Sequence, residues 1–141
     1  MKDKNCIFCK IINGEIPSSI VYEDDDVLAI LDISQATYGH TLVMPKVHFT
    51  SFLDVPHDVM HKVMDVAQRI SMAQSSVLGA KGVNILINVN EAAGQSVMHF
   101  HVHVIPRYIA SEGFRITLAD NKSKQDLNLP ALASQIRKGL R

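Results

Sequence analysis

The segment Gln95-Ser96-Val97-Met98-His99-Phe100-His101-Val102-His103-Val104-Ile105-Pro106 places three of the chain's seven histidines at alternate positions. Strand side chains alternate between faces with a period of two. An extended reading turns His99, His101 and His103 to one face and Phe100, Val102 and Val104 to the other. A helix would scatter the imidazoles around its axis. The aromatic and β-branched residues between them also favour a strand. Pro106 has no N–H to donate and is expected to end the ladder. Threonine or lysine would serve a merely solvated face equally well, so the histidine row points to chemistry. Two kinds fit: a shared metal ion, or nucleophilic and proton-transfer catalysis.

Immediately upstream, Asn88-Val89-Asn90-Glu91-Ala92-Ala93-Gly94-Gln95-Ser96 joins the histidine strand to an apolar strand over residues 83–89. Gly94 permits a tight turn and close approach to a ligand. The amides around it, with the Ser96 hydroxyl, form a donor-rich run suited to phosphate. Beside three histidines, that run favours phosphate chemistry over a pure metal site. Before it, Val59, Val63, Val66, Ala67, Ile70, Ala73 and Val77 keep three-to-four spacing and predict a helix over residues 54–78. Asp54 is the expected cap, Pro56 falls in the first turn and Gly79 ends the helix. His57 and His61 lie on its polar side and read as solvated.

The N-terminal third predicts strands over residues 20–23, 27–31 and 41–44, with Asp24-Asp25-Asp26 as the first turn. Asp32 closes the second strand. It either caps the following turn or accepts two hydrogen bonds from a vicinal diol such as a ribose. His40 and His48 flank the third strand. Cys6-Ile7-Phe8-Cys9 opens a short apolar piece ending at Asn13-Gly14. A redox pair would need a preceding strand for which there is no room, so these cysteines read as two small buried hydrophobes or as half of a zinc site completed by distant histidines. Past Arg107, loops are expected over residues 111–114 and 120–123. Leu129, Leu132, Ile136 and Leu140 then mark a last amphipathic helix, with Lys138 and Arg141 suited to its C-terminal end.

The whole chain of 141 residues fits a single domain, 1–141. Apolar residues make up 47%, which excludes a disordered or membranous chain. Fourteen basic and fourteen acidic residues cancel, which argues against nucleic acid or a membrane surface as partner. No signal-peptide run is present, and two cysteines three apart make no secreted disulfide framework, so the cytoplasm is the expected compartment.

The segment His99 to Ile105 resembles the signature of the histidine-triad superfamily of nucleotide hydrolases and transferases. Gly94-Gln95-Ser96-Val97 directly before it resembles the nucleotide-binding branch. So do Val27-Leu28-Ala29-Ile30-Leu31-Asp32-Ile33-Ser34, Gly39-His40-Thr41-Leu42-Val43 and Pro45-Lys46-x-His48, in order and spacing. The likeness runs over a core of about residues 6–107, leaving 108–141 as a C-terminal extension.

That resemblance implies an α+β fold with a five-stranded antiparallel sheet, one long helix and a C-terminal helix. It implies a homodimer that cleaves nucleoside 5′-monophosphate derivatives, phosphoramidates or similar, with purines preferred and no catalytic cofactor. His101 matches the nucleophile, which would form a nucleotidyl-histidine. His103, Gly94, Gln95 and Ser96 would hold the phosphate and leaving group, and His40 would support the histidines. Asp32 would bind the ribose. Phe8, Ile11, Ile30, Leu31 and Ile33 would line the base pocket, and Asn88 would face the phosphate. Members with an N-terminal Cys-x-x-Cys bind a structural zinc whose ligands match Cys6, Cys9, His48 and His99. Leu31 departs from the pattern, standing where many relatives carry histidine. A histidine at 103 argues against the uridylyltransferase branch, which has glutamine there. Two other readings stay open: a dinucleoside polyphosphate hydrolase, and a nucleotide-binding partner protein with incidental catalysis. A hydrolase with a catalytic metal on the triad is a third.

Overall fold

The computed structural model describes residues 3–109, 112–120 and 127–141. Five strands form one antiparallel sheet: β1 (Ile20–Glu23), β2 (Val27–Leu31), β3 (Thr41–Pro45), β4 (Gly82–Leu86) and β5 (Val102–Arg107). Their spatial order is β1-β2-β3-β5-β4, which sets the histidine-bearing strand between β3 and β4. Among the described residues three α-helices, α1 (Ile7–Ile12), α2 (His57–Leu78) and α3 (Leu129–Lys138), and a 3-10 turn over Glu91–Ala93 accompany them. No helix among the described residues is long and apolar enough to cross a membrane.

The pleat divides the core in two. Val27, Ala29, Val43, Val102 and Val104 meet Val63, Val66, Ala67 and Ile70 of α2 on one face. Leu28, Ile30, Leu42 and Met44 face the other way and pack under Cys6, Phe8 and Cys9 at the start of α1. β2 is thus buried on both faces, as its unbroken apolar run requires. His103 lies directly opposite Leu42, so the histidine row belongs to the α1 face.

Several expected boundaries move. The regular strand begins only at Val102, yet Phe100 still joins the α2 core, so the alternation extends upstream of the ladder. The ladder survives Pro106 on the β4 side, where Pro106 pairs with Val83, and stops at Val104 on the β3 side. The missing N–H matters little there, because nothing on the β3 side continues to need it. β4 ends at Leu86 instead of 89. α2 starts at His57 with Pro56 as its N-cap residue. Asp54 instead closes the preceding turn by accepting from the Thr50 and Ser51 amides.

Val77 is 78% exposed and Ala73 also faces out, whereas Gln74 is buried in their place. The apolar piece after Cys6 is helical, capped by the Cys6 sulfur, which accepts from the Cys9 amide. α3 forms as expected, with Asn128 capping it, but Leu140 falls beyond its end. Residue 111 and residues 121–123, parts of the two expected C-terminal loops, lie outside the described residues.

Candidate functional site

Two clusters meet at the histidine row, and backbone hydrogen bonds fix the tautomers of His99, His101 and His40. The first contains Cys6, Cys9, His48 and His99, with their four ligand atoms within 4.8 Å of one another. His99 is fully buried, and its Nε2 lies 2.8 Å from the Pro45 carbonyl oxygen. A carbonyl only accepts, so Nε2 carries the hydrogen and donates it, leaving a lone pair on Nδ1. That Nδ1 stands 3.5 Å from Cys6 Sγ, 3.6 Å from Cys9 Sγ and 3.2 Å from His48 Nδ1. Zn–N and Zn–S bonds of usual length in a tetrahedron put ligand atoms roughly 3.3–3.8 Å apart. Two sulfurs and two imidazole nitrogens at these separations therefore suit a structural zinc. Burial pushes the Cys6 thiol up, and burial with the neighbouring His48 and His101 pulls His99 down to about 4.

The second cluster holds His101, His103, His40 and Asp32. His101 is 8% exposed and its Nδ1 lies 2.7 Å from the His99 carbonyl oxygen. Nδ1 must donate, so Nε2 holds the free lone pair. The Ala36 amide donates to His40 Nδ1 at 3.2 Å. His40 therefore carries its hydrogen on Nε2, which donates across 2.9 Å to His103 Nδ1. His103 is left with a hydrogen on Nε2. The row thus presents an acceptor nitrogen on His101 and a donor nitrogen on His103.

Burial is the main cause holding all three rings of this cluster neutral. His103 is brought down to about 4, helped by His101 and His40 and opposed by Asp32. His101 and His40 are lowered from the ordinary imidazole range, with Asp32 again opposing.

Asp32, His40 and His103 also lie close enough to share a cation. The tautomers oppose it. A metal on His40 Nε2 would push the hydrogen to Nδ1, against the Ala36 N–H. The cluster is built as a hydrogen-bonded relay.

Other expected site residues divide. Phe8 meets the His101 ring edge-on at 5.0 Å, and it packs with Ile30 and Ile11. Leu31 does not join them: it pairs with Thr41 on the α2-facing row and is 38% exposed. Ile33 projects fully into solvent. Asp32 caps the following turn by accepting from the Ser34 amide, and its other oxygen faces His40 Nε2 at 3.6 Å.

In the loop before the histidines, Gly94 adopts φ +93°, a conformation only glycine takes without strain. The Ala93, Gly94 and Gln95 amides turn inward to Asn90 and Glu91 carbonyls. Gln95 is buried, accepting from the Asn90 amide and donating to the Thr50 and Val97 carbonyls. Its side chain holds the loop's shape. Ser96 is exposed, and Asn88 reaches the Gly94 carbonyl at 3.5 Å.

The sequence reading missed three contributors. Ala36 acts through its amide, which no sequence pattern signals. Gln35 donates to the Asp32 and His40 carbonyls and accepts from the Gly39 amide. Gln74 had a signal: it is a polar residue four positions after Ile70, on the core stripe.

A family model described as HIT domain matches residues 13–110 of this chain. A crystal structure of a HIT family protein from Bacillus anthracis is 43% identical, with a TM-score of 0.88 over 98% of this chain and 99% of that one. A zinc-bound histidine-triad family protein from Mycobacterium smegmatis is 39% identical, with a TM-score of 0.74 over 95% of this chain and 97% of that one. The protein named adenylylsulfatase HINT3 of Arabidopsis thaliana is 36% identical over 94% of this chain and 66% of its own length.

Proposed function

This chain belongs to the HIT-domain family, and from that premise we propose that it is a nucleotidyl hydrolase acting on nucleoside 5′-monophosphate derivatives. The observation that carries the reading is the hydrogen bond from His101 Nδ1 to the His99 carbonyl. It fixes Nδ1 as the donor, so the ring that burial keeps neutral carries its lone pair on Nε2, beside a donor on His103. A neutral imidazole is a competent nucleophile near pH 7.

In this reading the His101 Nε2 lone pair forms a bond to the α-phosphorus as the bond to the leaving group breaks. The departing atom takes the bonding pair, steadied by the His103 Nε2–H, and a proton from solvent completes it. Water then attacks the same phosphorus and gives up a proton to solvent, the N–P bond breaks with its electron pair returning to Nε2, and the nucleoside monophosphate leaves. Phe8, Ile11 and Ile30 form the apolar side on which a base would lie, and Asp32 stands nearby as an acceptor for ribose hydroxyls. Ser96 and Asn88 offer donors at the phosphate end. The relative from Arabidopsis, named for cleaving a sulfate from an adenylyl group, supports this class of reaction. Zinc on Cys6, Cys9, His48 and His99 would supply no chemistry to the step. It would tie α1, and with it Phe8, to the backbone that orients His101.

The test is turnover of an adenosine phosphoramidate beside a diadenosine polyphosphate, followed from pH 5 to 8. The phosphoramidate should turn over faster. Because His101 is held below the ordinary imidazole range, its lone pair stays available under pH 6.5. Between pH 7.5 and pH 6 the rate should fall by less than the roughly fourfold that an imidazole of ordinary pKa would lose. A faster dinucleotide reaction would favour that alternative, and no turnover of either would leave a binding protein.

We also propose that the chain forms a homodimer. Leu129, Leu132 and Ile136 of α3 are exposed in the single chain, an apolar row that a second copy would cover. Sedimentation equilibrium should give twice the chain mass, and a monomer mass would remove the dimer.

A further inference from the structure

We propose that Gln74 of α2 is a positioning residue for the His40–His103 pair, acting from the opposite side of the sheet. This rests on the nucleotidyl-hydrolase reading of the same site. Gln74 is 4% exposed and points into the sheet among apolar neighbours. Its Nε2 donates twice, to the Gly39 carbonyl at 3.1 Å and to the Val104 carbonyl at 3.2 Å. Gly39 immediately precedes His40, and Val104 immediately follows His103. One amide group therefore clamps the backbone on the flank of each ring in the pair.

The clamp sits where the β3–β5 pairing ends. Pairing between β3 and β5 ends at Thr41 and Val104, one step short of His40. Gly39 lies past the end of β3, where its carbonyl also takes the Thr41 hydroxyl, and Gln74 bridges it to the carbonyl of Val104, the last β5 residue paired with β3. Gly39 has φ +100°, and a Cβ there would come within 2.7 Å of Leu78 Cδ1, so this backbone is held close against α2. The Gln74 Oε1 is buried with no hydrogen-bond partner among the described residues. Burying an unpaired amide oxygen is costly, and leucine or methionine would fill the same volume without that cost. The two donors are what the position retains.

The consequence falls on the leaving group. His40 Nε2–H bonds to His103 Nδ1 only while the two backbones keep their spacing, and that bond leaves His103 Nε2–H aimed outward. This donor matters in proportion to the negative charge that builds on the departing atom. A leaving group stable as an anion needs it little, and an aliphatic amine or alcohol needs it greatly.

The experiment compares wild type with Gln74→Met, which keeps volume and removes both donors. Two substrates are used: the p-nitrophenyl ester of adenosine 5′-monophosphate and an alkyl phosphoramidate of the same nucleotide. Gln74→Met should lose about tenfold or more in kcat on the phosphoramidate, with less than about twofold change on the nitrophenyl ester and KM unchanged for both. In nitrogen-resolved NMR, the His40 Nε2–H signal should be slowly exchanging in wild type and lost to exchange in the variant.

Equal losses on both substrates with an unchanged His40 signal would mean that Gln74 only supports the fold, and the proposal would fall. No change on either substrate would also overturn it. If Gln74→Met does not fold, Gln74→Asn, which keeps the donors but is one methylene too short, reads the same ratio. If wild type turns over neither substrate, the hydrolase reading fails, and the His40 signal alone decides whether Gln74 holds the pair.

Discussion

Replacing His101 with alanine should lower turnover by about a thousandfold or more, while nucleoside monophosphate still binds. Both halves of the proposed reaction pass through His101 Nε2, and no other ring in the row can take its place. His99 Nδ1 faces two sulfurs and His48, away from the open side of the row. His103 Nδ1 is occupied by the His40 N–H, and its other nitrogen carries a hydrogen. Only His101 presents a lone pair outward, because the His99 carbonyl takes the Nδ1 hydrogen. Binding should persist because the apolar side formed by Phe8, Ile11 and Ile30 is untouched, although Phe8 loses the ring it meets edge-on. Steady-state turnover with parallel titration of adenosine monophosphate checks this. Turnover within tenfold of wild type would place the nucleophile elsewhere.

The second large effect belongs to the cysteines. Cys6→Ser with Cys9→Ser should abolish zinc uptake and lower the unfolding midpoint by on the order of 10 °C. α1 is six residues long, too short to be stable alone, and apart from its apolar contacts it is joined to the rest of the chain through this cluster. A metal would join α1 to His48, beyond β3, and to His99, ahead of β5. Without it, His99 retains a buried lone pair facing the side chains at positions 6, 9 and 48. Metal content by mass spectrometry, read beside thermal melts of the purified protein, gives both numbers. A wild-type protein free of metal, whose melt matches the double variant, would contradict a zinc role.

Much of this was legible in the sequence, and the reasons are specific. The apolar run over residues 27–31 and the alternation through the histidines are tertiary facts written as local patterns, since burial on two faces or one dictates them. The zinc residues were legible because a cysteine pair three apart restricts its completion to histidines, although their positions came only through family resemblance. The pocket was less so. Leu31 and Ile33 lie beside Asp32 in the chain, but the pleat sends Leu31 to the α2 side, and Ile33 stands out in solvent. Sequence adjacency carried no information about that face.

The Gln95 side chain resembles a phosphate donor by type, and the fold turns it inward to hold Asn90, Thr50 and Val97. The tautomers were not legible at all. They depend on the carbonyls of His99 and Pro45 and on the amide of Ala36, groups every residue possesses and only the folded backbone can aim. Helix phase explains the miss at α2. Continuing the three-to-four spacing to Ala73 and Val77 overlooked that Gln74 lies four residues after Ile70, where the core stripe actually runs.

The central claim is a covalent bond at one nitrogen, and its most direct measurement is capture of that bond. Wild-type protein is quenched during turnover of an adenosine phosphoramidate, under conditions that preserve N–P bonds, then digested and mapped by mass spectrometry. The account predicts one adenylyl group per chain at most, on His101, lost in acid and retained in base as a phosphoramidate requires. An adenylyl group on His99 or His103, or active enzyme that never carries one, would contradict it.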